Sequence, residues 1–256
     1  MFVRWTESRA MLVSREHSHK KPKQRRMKSY SKFIAATALI AVSINTQATT
    51  YTDTIGGNVW SDPVADITSV EVTHSATDLI FKINIAGDPV AANYAKYLVG
   101  LDTTAGGDST GNGWARPIGM SSGMDYWMGS WTDSGNGAEV YKYTGSWGLQ
   151  NATYGTPGGL TFSKNTSSVT FSYPFASLGL VLGNTFTFDV YTSGGGSGDG
   201  AVDALSNPNQ TIANWGDNYN SGALVSSYTL TAIPEPTSLA MLGLGATLLI
   251  GRMRRR

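Results

Sequence analysis

The sequence predicts an all-β fold: an antiparallel β-sandwich of jelly-roll or Greek-key type over residues 49–232, between an N-terminal signal peptide and a short C-terminal transmembrane helix. Three observations predict it. Apolar residues in that segment recur with a period of two rather than 3.6. Clusters of Gly, Asn, Asp, Ser and Pro separate the alternating runs, and no long amphipathic helical stretch intervenes.

The elements follow in chain order. Residues 67–73 form a first short strand. Leu79, Phe81, Ile83 and Ile85 alternate with Ile80, Lys82 and Asn84, which gives a strand with one face in a core. Residues 96–101, 126–131 and 138–143 carry weaker strand patterns. Val169, Phe171 and Tyr173 alternate with Thr170 and Ser172, and Phe186, Phe188 and Val190 alternate with Thr185, Thr187 and Asp189. Between those two, residues 174–180 suit a single helical turn, and residues 223–231 supply a last strand.

Beyond residue 232 the pattern changes. Pro234, Glu235 and Pro236 break any regular element, because two prolines fix φ and remove backbone donors. Residues 238–251 carry no charge, and Arg252, Arg254, Arg255 and Arg256 close the sequence. Arginine costs roughly 2.5–3.5 kcal/mol at a bilayer centre on insertion scales, so the cluster stays cytoplasmic. As a helix the uncharged span reaches about 21 Å, short of the roughly 30 Å hydrocarbon core, which suits a processed anchor. This order of Pro-Glu-Pro, short apolar span and terminal arginines resembles the PEP-CTERM sorting signal of exported proteins in exopolysaccharide-producing Gram-negative bacteria. The resemblance implies export by the Sec translocon and transient residence in the inner membrane. There an exosortase, a membrane-embedded cysteine protease, cuts near the Pro-Glu-Pro motif. The cell surface or extracellular matrix is then the destination.

The other end agrees. Residues 27–32 are positively charged, residues 33–44 are mostly apolar, and Thr46-Gln47-Ala48 approximates a small-x-small cleavage site. Residues 27–48 thus read as a signal peptide. Residues 1–26, with eight Lys and Arg, read as an extension upstream of a start at Met27, in preference to a long charged n-region. A nucleic-acid-binding arm ahead of a signal peptide has no compartment in which to act.

Setting both ends aside reverses the electrostatics. The full chain has a formal charge of +1, whereas residues 49–232 hold five Lys and Arg against fifteen Asp and Glu, a formal −10. Nucleic acid is excluded as a natural partner on that ground. Cysteine is absent, so disulfide stapling, thiol catalysis and Cys-based metal sites are excluded as well.

Two Gly-rich loops carry oxygen ligands, residues 102–113 and 194–203. Asp102 and Asp108 in the first, with Asp199 and Asp203 in the second, are candidate calcium ligands, since calcium takes six to eight oxygens on a chain that turns sharply. Neither loop has EF-hand spacing, and plain turns remain the competing reading. Aromatic residues crowd between positions 114 and 147. Sugar rings present flat C–H faces that pack on indoles, with neighbouring polar groups on the hydroxyls. Trp114, Trp127, Trp131, Trp147 and Trp215 are therefore the glycan-binding candidates. Trp127 and Trp131 share a parity, so a core position for them stays open.

The pattern of residues 66–72, 78–81, 97–102 and 188–192 resembles the DOMON-like and family 9 carbohydrate-binding-module sandwiches. That resemblance implies sugar or haem binding, and structural calcium in some members. No His/Met arrangement points to an axial haem pair.

Catalysis finds little support. His74 is the one histidine between residues 49 and 232, and its place between strands suggests an exposed turn residue rather than a general base. Glu71 and Glu139 are the only glutamates there, and sequence spacing does not bring any two carboxylates together. The expectation is a non-catalytic surface or matrix protein contacting exopolysaccharide, with a polysaccharide hydrolase or lyase as the alternative.

Overall fold

The computed structural model describes residues 48–53, 62–155, 158–222 and 225–233; the expected signal peptide, Pro-Glu-Pro motif, apolar span and arginine cluster lie outside them. Fourteen strands and two 3-10 turns make up the regular structure, with no α-helix among the described residues. A five-stranded sheet joins β1 (Thr49–Thr52), β2 (Ile67–His74), β3 (Asp78–Ile85), β10 (Ser168–Pro174) and β9 (Thr161–Lys164) in that spatial order. A seven-stranded sheet joins β12 (Ala201–Ala204), β11 (Thr185–Ser193), β4 (Lys96–Asp102), β6 (Tyr126–Trp131), β7 (Gly137–Tyr143) and β8 (Trp147–Ala152), with β14 (Ser226–Thr229) on β11 beside β12. Every pairing in these two sheets is antiparallel. A small parallel pair joins β5 (Ile118–Met120) and β13 (Tyr219–Ser221).

The period-two pattern explains the main core. Register places Val72 beside Phe81 and Phe81 beside Phe171 on one sheet. On the other, Val190, Val99, Met128 and Val140 line up across four strands. The two rows meet face to face, with Phe81 edge-on to Phe188 at 5.2 Å between centroids, and both fully buried. Each such side chain removed from water contributes roughly 1.5–3 kcal/mol. The expected helical turn is present as the 3-10 segment Phe175–Leu178, closed by Gly179 at φ 71°.

A second core sits on the outward face of the seven-stranded sheet. Leu98, Trp127 and Tyr191 point away from the sandwich interior and are covered by Ile118, Met120 and Met124. Trp127 stacks on Tyr191 with ring centroids 6.0 Å apart. Beneath this cover Asp189 is fully buried and accepts hydrogen bonds from Val190 N, Ser206 N and the hydroxyls of Ser206 and Ser221. Burial pushes its carboxyl above the ordinary range, although those four donors pull the other way.

His74 departs from the expected exposed turn. It continues the inward parity of Val70 and Val72, is 1% exposed, and bonds Tyr228 Oη at 2.7 Å through Nδ1 and the Thr231 carbonyl at 2.8 Å through Nε2. The histidine thus fastens the C-terminal strand to β2.

Candidate functional site

The outward face of β6 and β7 is made of indoles lying over glycines. A Cβ on Gly129 would stand 2.6 Å from the Trp114 ring, and one on Gly137 would stand 2.4 Å from the Trp131 ring. Gly137 is also the cross-strand partner of Trp131. With no side chain at these outward positions, each ring can lie close against the sheet. Trp114 and Trp131 are both half-buried, at 6.5 Å between centroids. Tyr154, largely exposed, extends the row at 6.1 Å from Trp131.

Trp114 is set by a turn whose keystone is Asn112. Its Oδ1 accepts from Trp114 N at 3.0 Å and Arg116 N at 3.2 Å, and its Nδ2 donates to the carbonyls of Arg116 and Ile118, both at 2.8 Å. Ala115 between them takes φ +52°, a left-handed conformation that L residues seldom adopt. The indole N–H of Trp114 donates to Glu139 Oε2 at 2.7 Å, and the Tyr154 hydroxyl donates to Oε1 of the same carboxylate. That bond raises Tyr154 to about 12.

Trp114, Trp131 and Tyr141 line a groove of about 530 Å³ together with Lys96, Arg116 and Asp133. Lys96 pairs with Asp133 at 3.2 Å, and the Arg116 guanidinium lies 5.5 Å from the Trp114 ring centroid. The volume falls within the range of small-molecule sites, and an aromatic wall with a few convergent polar groups is their usual composition. A second hollow of about 260 Å³ lies between β1 and β14, lined by Thr49, Tyr51, Ser227, Tyr228, Thr229 and Thr231. It has no indole.

Of the five tryptophans singled out in the sequence, the fold brings Trp114 and Trp131 together in the groove. Trp127 is corrected to a core residue: it is fully buried in the second core and presents no face to a ligand. Trp147 packs beside Tyr143 at 5.4 Å and donates to Asp108 Oδ2 at 2.9 Å. Trp215 packs against a separate small cluster of Ala65, Val202 and Ile212. Lys96, Arg116, Gly129, Gly137 and Tyr154 were not signalled as site residues. The available clue was the combination of outward-parity glycines with nearby aromatics.

The expected calcium ligands are not brought together. Among the described residues no three acidic or histidine side chains form a group that could hold a metal ion. Asp203 is buried and accepts from Ile67 N at 2.7 Å and Ala204 N at 2.8 Å. Asp199 accepts from Gly196 N at 2.8 Å, and Asp102 from the Thr187 hydroxyl at 3.4 Å. Asp108 accepts from Thr110 N and Gly111 N; burial pushes its carboxyl up, but those donors with Thr110 Oγ1 and Trp147 outweigh it and hold it below the ordinary range. Asp108 and Asp199 thus accept from backbone N–H groups of their own turns, a use that oxygen-rich loops also serve without a metal.

Residues 232–256 match the PEP-CTERM protein-sorting motif. The segment marks the chain as an exosortase-sorted protein destined for export to the cell surface or beyond it. No curated protein matches the chain.

Proposed function

We propose that residues 49–232 form a non-catalytic polysaccharide-binding module, exported to the surface or extracellular matrix of a Gram-negative cell and retained there by exopolysaccharide. The observation that carries this is the pair of half-exposed indoles, Trp114 and Trp131, packed close over Gly129 and Gly137 in a groove edged by charged side chains. Flat, rigid aromatic faces with hydrogen-bonding groups at the edge suit pyranose rings. The strand-level resemblance to DOMON-like and family 9 carbohydrate-binding sandwiches points the same way. Affinity electrophoresis of the exported protein in gels containing its host's matrix polysaccharide tests it. The wild type is retarded, and the double variant Trp114→Ala, Trp131→Ala is not; wild-type mobility unaffected by that polysaccharide sinks the reading.

The alternative is a hydrolase or lyase acting on the same matrix. Its best carboxylates are Asp133 and Glu139, since Glu71 is outward on the five-stranded sheet while Glu139 is outward on the other. Asp133, however, is already paired with Lys96, and Glu139 is engaged by Trp114 and Tyr154. Absence of new reducing or unsaturated ends after prolonged incubation with the matrix would dismiss it.

A further inference from the structure

Two of the five Lys and Arg side chains between residues 49 and 232 converge on the aromatic groove of a domain that is otherwise strongly acidic. Lys96 enters from β4, opposite Trp131, and is 8% exposed. Its charge is balanced by Asp133, with Nζ 3.2 Å from each carboxylate oxygen.

Arg116 differs. It is 5% exposed and hydrogen-bonds through Nη1 to Ser193 Oγ at 2.7 Å and to the carbonyls of Asp199 at 3.1 Å and Gly194 at 3.4 Å. It makes no ion pair among the described residues, and its buried Nε has no hydrogen-bond partner. A guanidinium without an ion pair on the wall of a groove favours an anionic occupant. Nη1 is held by the protein and Nε is closed off from solvent, so Nη2 is the end left to meet a ligand. It offers a charge-assisted N–H···O bond to a carboxylate oxygen. The guanidinium carbon lies 5.5 Å from the Trp114 ring centroid, so a sugar ring packed on the aromatic wall beside it carries its substituents to this end.

We propose that the groove selects acidic polysaccharides, seating a uronate ring against Trp114 and Trp131 with its carboxylate on Arg116 and Lys96 at the side. This rests on the glycan-binding reading and narrows it to a class of sugar. The acidic surface outside the groove repels polyanions in general, so retention by one reports the groove itself.

The test uses the exported protein purified from its host, run in native gels containing polygalacturonate, its fully methyl-esterified form, dextran sulfate or dextran. Polygalacturonate is expected to bind at least about tenfold more tightly than the neutral ester, the scale of a charge-assisted hydrogen bond. Arg116→Gln, which removes the charge, gives up about tenfold of that affinity, and Lys96→Gln a few-fold. Arg116 also ties Ser193 to the segment after it, so Lys96→Gln decides the matter if the arginine variants do not fold; unchanged retardation of that variant overturns the proposal. Equal retardation by acid and ester overturns it while leaving glycan binding intact. Retardation by dextran sulfate as strong as by polygalacturonate overturns the selection for uronates in favour of a general anion site. No retardation in any of these gels overturns the proposal, while the glycan-binding reading stands or falls with the host's own matrix polysaccharide.

Discussion

On the five-stranded sheet the outward positions of β2 and β3 carry Ser69, Glu71, Lys82 and Asn84, whereas on the seven-stranded sheet those of β4, β6 and β7 include Leu98, Trp127, Trp131 and Tyr141 interspersed with glycines. The first set satisfies itself. Lys82 Nζ and Asn84 Nδ2 each donate to Glu71 Oε1 at 2.9 Å, and Asn84 also reaches Ser69. The second set requires a covering. Residues 114–124, with Tyr219, close over part of it, and the groove lies beside them. The proposed binding site thus falls on the sheet whose two faces are both apolar.

The largest test of this contrast is Trp127→Ala, which empties the second core and is expected to cost about 3–5 kcal/mol in denaturant unfolding. A cost under 1 kcal/mol would mean that the covered face is not a true core. Gly129→Val drives a branched side chain into the Trp114 ring. Overpacking of this kind costs about 1–3 kcal/mol, and the displaced indole should abolish retardation in polysaccharide gels, whereas Gly148→Val, with open space around its Cβ, should leave it unchanged. Asn112→Ala removes the keystone of the Trp114 turn and strands buried backbone groups, for about 1–3 kcal/mol and a weaker grip on glycan; intact binding by the folded variant would show that the turn holds itself.

The two faces also carry opposite pH signatures. Asp189 has a carboxyl raised by burial, so its contribution to stability is full below the ordinary carboxyl pKa and declines as pH rises through the folded value. Wild type should therefore gain melting temperature relative to Asp189→Asn on going from about pH 7 to about pH 4. Glu71 is lowered by its hydrogen bonds from Lys82 and then Asn84, so its contribution is present above the ordinary value and is lost as pH falls. The smallest effect belongs here: Glu71→Gln should cost no more than about 1 kcal/mol near neutrality, with the difference vanishing toward acid pH. Parallel pH trends for the two variants would contradict the contrast.

Strands buried on one face announce themselves in the sequence. β3, β10 and the first half of β11 alternate cleanly, and both the sandwich and the 3-10 turn after β10 follow from that. Short strands with little apolar content, such as β8 and β13, leave no such signal: Leu149 in β8 is 52% exposed at the sheet edge. Parity correctly put Trp127 and Trp131 on one face, but period two cannot say what covers a face. The separation of a buried Trp127 from a half-open Trp131 depends on long-range closure by Ile118, Met120 and Met124. His74 was legible in principle, since it keeps step with Val70 and Val72. Arg116 was not, because its position depends on Asn112 turning the chain and on carbonyls 78 and 83 residues away.

The C-terminal strand has a mechanical consequence. Any tension drawn through the sorting segment enters the domain at Thr231, held by His74, and passes into β14, which is joined to β11 by only four residue pairs from Thr185–Thr229 to Phe188–Ser226. From there it crosses β4 to reach β6 and β7, where the groove lies. Under the proposed binding, a load between the sorting segment and the groove runs sideways across the sheet, strand to strand, and its shortest joint lies at the C-terminal end.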